Sequence, residues 1–198
     1  MNHSSRFKTW LTLGCLVAAF SQAAAAVEVG GIKFDDTARV ANKDLKLNGA
    51  GLRVKLAFFN LYAEALYLPE KKSDPAAILA MPGPKRVMLV MRREIDADTF
   101  GDAFLKGLND NSNKAELSKI VGQTGAFGEL FAAMPGLKKG DILLLDWLPG
   151  VGTQSSLNGK PMGGPLPDVA FFNAVLKIWI GDKPVDSSLK PQLLGEKS

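Results

Sequence analysis

The sequence predicts an α+β fold, an antiparallel β-sheet covered by a layer of α-helices, and three observations predict it. Short apolar runs flank two-residue glycine turns, in "VEVGGIKF" (27–34) and around Asn158-Gly159, which is the chemistry of hairpins. From Asp96 onward the spacing changes to that of helices, with Phe100, Phe104 and Leu108 on one stripe and Leu117, Ile120, Phe127 and Phe131 on another. "GAG" (49–51) and "PGVGTQ" (149–154) lack the strand, glycine turn and helix order of a phosphate loop, so a dinucleotide-binding sheet is excluded.

Taken in order, the Gly30-Gly31 hairpin is expected to start the sheet. "LKLNGAGLRVKLAFFNLYAEALYL" (45–68) follows as strands around a glycine-containing bend. Val54, Leu56 and Phe58 fall on one parity and Phe59, Leu61 and Ala63 on the other, so both faces are apolar, as in a covered strand. Ser73 and Asp74 before Pro75 begin a short helix that Gly83 closes. "KRVMLVMRRE" (85–94) is a strand, the two helices from Asp96 are separated by "NDNSN" (109–113), and Gly136 ends the second. "GDILLLDWLPG" (140–150) is another strand before the Asn158-Gly159 hairpin. "PDVAFFNAVLKIWIG" (167–181) is an amphipathic helix with Phe172, Leu176 and Trp179 on its stripe and Gly181 as its stop. "SSLKPQLLG" (187–195) makes a last short helix.

The first residues have the layout of a secretory signal peptide: Arg6 and Lys8, then the apolar "WLTLGCLVAAF", then "SQAAAA". The apolar stretch is shorter than the roughly 20 residues a bilayer span needs. Residues 1–26 are therefore expected to be removed, leaving 27–198 as one domain in the periplasm without stable membrane insertion. Lipid attachment at Cys15 is the weaker reading, because that cysteine lies inside the apolar run. Cleavage takes away the only cysteine, Cys15, and the only histidine, His3. What is left has no thiolate or imidazole ligand for a metal, no histidine-based triad and no disulfide. It also removes two cations from a net charge of +4. No basic cluster then points to nucleic acid, since Arg92-Arg93, Lys71-Lys72 and Lys138-Lys139 read as solvated ends of elements.

Arg53 stands at the mouth of an apolar run, where a planar fork of five donors can hold a carboxylate or an enolate-like oxygen; alternatively its charge reaches water past apolar surface. Tyr62 and Tyr67 are amphipathic strand residues. Glu64, between two alanines, is either a buried acid of raised pKa or an exposed edge residue. Asp141 and Asp146 read as strand ends. Met88, Met91, Met134 and Met162 fill core gaps or line an adaptable pocket, and Trp147 and Trp179 fit the same reading, or wall a ligand cavity.

Two blocks, "LNGAGLR" (47–53) with the following "YAEALYL" (62–68), and "AVLKIWIGDKPVDSSLK" (174–190), carry a resemblance to the chalcone isomerase superfamily, in its bacterial secreted chalcone isomerase-like branch. The likeness runs from about residue 27 to the last helix and implies an open-faced sandwich with a ligand cleft between sheet and helices. In the plant enzymes the arginine after the glycine turn polarises the substrate while a chalcone closes to a flavanone, and Arg53 is similar to that residue. The family's second-strand threonine falls at Tyr62, and its Thr-Met pair at Ile178-Trp179. Thr99, Lys106 and Asn109 are present in "DADTFGDAFLKGLN" (96–109) without a clear register on the enzymes' Tyr, Lys and Asn set. Arg53 with Tyr62 is instead similar to the pair with which the superfamily's fatty-acid-binding members hold a carboxylate, with Phe58, Phe59, Leu66, Ile178 and Trp179 as apolar wall.

The resemblance thus implies a periplasmic protein that binds a small apolar carboxylate such as a fatty acid, and no cofactor; heme would find only Tyr or Met as axial ligand. The alternatives are an intramolecular lyase of chalcone isomerase type, with Arg53 catalytic, and a scaffold with a closed cleft. Protein partners are left open.

Overall fold

Successive side chains of a strand point to opposite faces of its sheet, and in this protein the two faces have different covers. The computed structural model describes residues 26–55 and 59–196, the side chains at 55 and 59 excepted. Residues 1–25 of the expected leader 1–26 lie outside the described residues.

Strands β1 (Ala26–Val29) and β2 (Ile32–Asp35) pair through Gly30 and Gly31, whose φ values of 57° and 80° make the two-residue turn. This hairpin does not start the main sheet, as the sequence suggested, but forms a separate ribbon. Its Val29, Ile32 and Phe34 cover the sheet face that carries Leu45, Leu47, Ala63, Ala65 and Tyr67. The small alanines leave an apolar surface there that the ribbon shields from water.

A turn at Ala41-Asn42 joins β3 (Thr37–Val40) to the long β4 (Lys43–Lys55), and β5 (Phe59–Leu68) returns beside it. Helix α1 (Pro75–Ala80) begins as expected, with the Asp74 side chain accepting from the backbone N–H of Ala76 and Ala77 and Pro75 in the first turn. After β6 (Lys85–Met91) come a two-residue β7 (Ile95–Asp96), α2 (Ala97–Asn111) and α3 (Lys114–Ala132). Asp96 caps α2, and Asn113 with Glu116 forms a capping box at the start of α3. Then β8 (Gly136–Leu137) pairs with β7, and β9 (Ile142–Leu148), β10 (Gly152–Leu157) and β11 (Lys160–Leu166) form a meander closed by Asn158-Gly159. Helices α4 (Val169–Ile180) and α5 (Leu189–Leu193) complete the chain. The seven-stranded antiparallel sheet runs β11-β10-β9-β6-β5-β4-β3. The α+β class read from the sequence is the fold observed.

The helices lie on the other face of the sheet. Phe104 stacks on Phe127 at 4.4 Å and Phe100 on Phe131 at 4.7 Å, which joins α2 to α3. Helix α4 buries the expected stripe of Phe172, Leu176 and Trp179 and more besides. Phe171, Phe172, Ala174, Val175, Leu176, Ile178, Trp179 and Ile180 are all buried, because α1, α2, α3 and α5 surround it above the sheet. Its Lys177 reaches Glu116 of α3 at 2.8 Å.

The main correction concerns "LNGAGLR". No turn divides the chain at 49–51, since β4 is one strand from Lys43 to Lys55, with register shifts at Leu47/Gly49 and Arg53/Val54. The glycines serve another need. A Cβ on Gly49 would lie 2.0 Å from the Gln192 carbonyl oxygen, and one on Gly51 would lie 2.7 Å from a Leu189 methyl. Bare backbone at these two positions lets α5 rest directly on the strand. Asn48 secures the contact, its Nδ2 donating to the Leu193 carbonyl at 2.8 Å and its Oδ1 accepting from Lys72 N at 2.7 Å.

Gly49→Ala should therefore lower unfolding stability by about 2–4 kcal/mol in urea denaturation. Gly122→Ala in α3, where a Cβ would meet nothing within 4 Å, should raise it by about 0.5–1 kcal/mol.

Candidate functional site

The register of β4 and β5 sets Arg53 directly opposite Tyr62. Beside the register shift, which leaves Leu61 of β5 as the extra residue, the Val54 N–H donates to Asp186 Oδ2 at 2.9 Å. The other carboxylate oxygen, Oδ1, accepts from Ser188 N at 2.8 Å and Ser188 Oγ at 2.7 Å, which fixes the turn into α5. One side chain thus ties the loop before α5 to the strand residue next to Arg53. These bonds hold the Asp186 carboxyl below the ordinary aspartate range although burial pushes it up.

The loop 181–186 is pinned at its other end as well. Asn111 Nδ2 donates to the Lys183 carbonyl at 2.8 Å and Asn111 Oδ1 accepts from Lys183 N at 2.9 Å. Lys190 Nζ donates to the Gly181 carbonyl at 2.9 Å.

At the site itself, two donors converge on the Tyr62 oxygen. Trp179 Nε1 donates to it at 2.7 Å and Arg53 Nη1 at 3.4 Å, and the guanidinium carbon stands 5.4 Å from the Tyr62 ring centre. With both donors on its oxygen, the phenol keeps its own O–H to give to an acceptor. Tyr62 is 2% exposed, and burial first, then the nearby Glu64 carboxyl, pushes its ionisation far above the ordinary range, so it acts as a donor.

Arg53, Tyr62, Ile178 and Trp179 share a chamber with Phe100 and Phe104 that has room for only about 20 Å³, one water-sized group. Arg53 also faces outward. A groove of about 590 Å³ runs from it along α2, over Leu61, Ile95, Ala103 and Val185, with Thr99, Asp102 and Lys106 on its rim. The guanidinium therefore stands where a narrow polar end meets a wide, mostly apolar trough.

Glu64 lies two residues from Tyr62 on the same face of β5, opposite Gly51 and Leu89. It is fully buried, and neither carboxylate oxygen has a hydrogen-bond partner. Burial raises its pKa well above the ordinary value of 4.5, while Arg53 pulls it down.

The structure thus brings Arg53, Tyr62, Ile178 and Trp179 together. Phe58 and the side chain of Phe59 lie outside the described residues. Leu66 is in the core and lines neither cavity. Trp147 packs on Phe172, and Tyr67 lies on the ribbon side, its hydroxyl donating to the Asp35 carbonyl at 3.1 Å and pushed up to about 12 by burial. Of the uncertain set, Thr99 and Lys106 reach the groove and Asn109 does not. Asp146 is a structural partner, receiving both ends of the Arg86 fork at 2.7 and 2.6 Å. Met134 and Met162 line a separate groove between α3 and β11. Among the described residues no group of three His, Cys, Asp or Glu is placed to hold a metal, and no helix is long and apolar enough to cross a membrane.

Sequence reasoning missed Asp186, Asn111 and Asn48. Only Asp186 left a local signal, because "VDSSL" has an aspartate two residues before a serine, the pattern of a side chain closing its own turn.

A family model described as chalcone isomerase-like matches residues 26–195. Among solved structures, the crystal structure of a fatty-acid binding protein of Arabidopsis thaliana is similar, with a TM-score of 0.66 and 15% sequence identity over 86% of this chain and 96% of that chain. At that identity the likeness speaks for the fold. No curated protein matches.

The folded protein keeps a proton on Glu64 at pH values where the unfolded chain has lost it, so folding takes up a proton and stability falls as pH rises above the ordinary glutamate value. The decline is at most about 1.4 kcal/mol per pH unit. Urea denaturation between pH 5 and 8 should show that slope shrink in Glu64→Gln, which should be the more stable form at pH 8; parallel curves would contradict the assignment.

Proposed function

The chain belongs to the chalcone isomerase-like family, and from that premise we propose that it is a periplasmic binding protein for an apolar carboxylate such as a fatty acid. The observation that carries the reading is the convergence of the Arg53 guanidinium and the Tyr62 hydroxyl at the junction of a one-group chamber and a long apolar groove. A carboxylate arriving there meets a cation and a phenolic O–H, and both donate to it.

The volumes divide the ligand. Only a head group suits about 20 Å³ beside Tyr62 and Trp179, whereas the groove of about 590 Å³ is in the range of small-molecule sites. The chain of the ligand would lie along α2, over Leu61, Ile95, Ala103 and Val185, and its burial would supply most of the affinity. That the similar Arabidopsis protein is a fatty-acid binding protein supports the same ligand class. The signal layout of residues 1–26 supports the periplasm, and cell fractionation tests it: the protein in the cytoplasmic fraction would contradict that placement.

The lyase reading has less to stand on. Ile178 brings no hydroxyl to the chamber, and the Trp179 N–H is already given to Tyr62.

Calorimetric titration with dodecanoate and dodecanol separates acid recognition from simple apolar binding. The wild type should prefer dodecanoate. Arg53→Gln should weaken dodecanoate by about 10- to 100-fold and Tyr62→Phe by about 5- to 10-fold, with dodecanol changed little. Equal affinity of the wild type for acid and alcohol would contradict the proposal.

A further inference from the structure

Glu64 is a buried polar group that the binding reading does not use. Among the described residues it is the one fully buried carboxylate, set among Leu66, Leu89 and Tyr62 where an aliphatic side chain would pack without penalty. Leaving a buried carboxyl without partners costs stability, and more if it is charged. Such a group in a folded protein calls for a functional account.

Its position suggests one. Arg53 pairs with Tyr62, and Glu64 is the next residue on the same face of β5, diagonal to Arg53 across the β4–β5 ladder. Diagonal neighbours are about 7–8 Å apart, within reach of two long side chains. Directly opposite Glu64 the place of a Gly51 side chain is taken by Gln192 and Leu189 of α5, so the way from Glu64 to Arg53 runs along the Tyr62 side of the ladder. An ionised Glu64 would turn to the Arg53 fork, and a neutral one has no reason to.

We propose that Glu64 determines the affinity of the acid site: protonated, it leaves Arg53 to the ligand's carboxylate, and ionised, it takes Arg53 for itself. The inference rests on the reading of Arg53 and Tyr62 as the acid site. Ligand anion and Glu64 anion compete for one cation, so binding and protonation are linked and each favours the other. Burial keeps the free carboxyl neutral, with the attraction of Arg53 opposing it.

The groove onto which Arg53 opens also carries Asp102, Lys106, Asp110 and Lys183, of which Lys106 and Asp110 pair with each other at 2.6 Å. From β5 there is Tyr62, a donor to the site. From the loop before α5 there is Asp186, bound to Val54 N and Ser188, and from α5 Lys190, bound to the Gly181 carbonyl. On β6 the residue facing Glu64 is Leu89, and Lys85 sits at the far end of that strand, its buried amine lowered in pKa.

The test is titration calorimetry at pH 6, 7.5 and 9 with dodecanoate and with dodecyl sulfate, which stays anionic throughout. The wild type should bind both about tenfold more weakly at pH 9 than at pH 6 and take up a proton on binding. Glu64→Gln should bind with an affinity that does not change with pH. A flat wild-type profile, or the same slope in Glu64→Gln, overturns the proposal. If neither ligand binds at any pH, the ligand reading fails, and the ligand-free protein still decides the Glu64 claim. An infrared carboxyl band absent from Glu64→Gln should titrate at higher pH in Arg53→Gln than in the wild type; an unmoved band overturns it.

Discussion

The close approach of α5 to β4 is the contact on which the site depends. A helix backbone rests on a strand only where the strand carries no side chain, and Gly49 and Gly51 provide that gap. Once α5 is seated, the loop before it crosses the end of β4, and Asp186 meets the Val54 N–H beside the register shift. Unmet, that N–H would cost about as much as a lost hydrogen bond. Met, it fixes the strand at the residue after Arg53, which stands opposite Tyr62. The binding residue and the last helix are therefore parts of one arrangement, although more than 130 residues separate Arg53 from Leu189 in the chain.

The electrostatics of the site follow from depth. Tyr62 and Glu64 are too deep to ionise readily, and Arg53 is half-buried at the boundary. The row Arg53, Tyr62, Glu64 thus runs from a fixed cation at the groove to a neutral acid in the core. Phe104, Ile178 and Trp179 wall the chamber beside Tyr62, and a charge placed there is weakly screened.

Much of the fold was legible. Turn chemistry marked both hairpins, because Gly30-Gly31 and Asn158-Gly159 need positive φ whatever surrounds them. Asp74 marked a helix start for an equally local reason, the need to satisfy free N–H groups, and the caps by Asp96 and Asn113 emerged with the structure. The ribbon's separate place, the two-residue pair of β7 and β8, and the full burial of α4 were not legible, since each depends on which distant surface needs a cover. Of the site, Arg53, Tyr62, Ile178 and Trp179 came from the two sequence blocks and the resemblance they carry, and the partners Asp186, Asn111 and Asn48 did not.

What the sequence determined by itself is the α+β class, the turns, the helix start at Asp74 and a guanidinium beside an apolar run, all of them consequences of backbone preference and periodicity within a few residues. What only the tertiary structure decided is the meaning of "NGAG" as a bare landing strip rather than a bend, the burial of Glu64, and the direction of Arg53. A glycine looks the same in sequence whether the chain must turn there or another backbone must come close, and a carboxylate's environment is set by the elements folded over it. Those are properties of what meets the strand, and they exist only once the chain has closed upon itself.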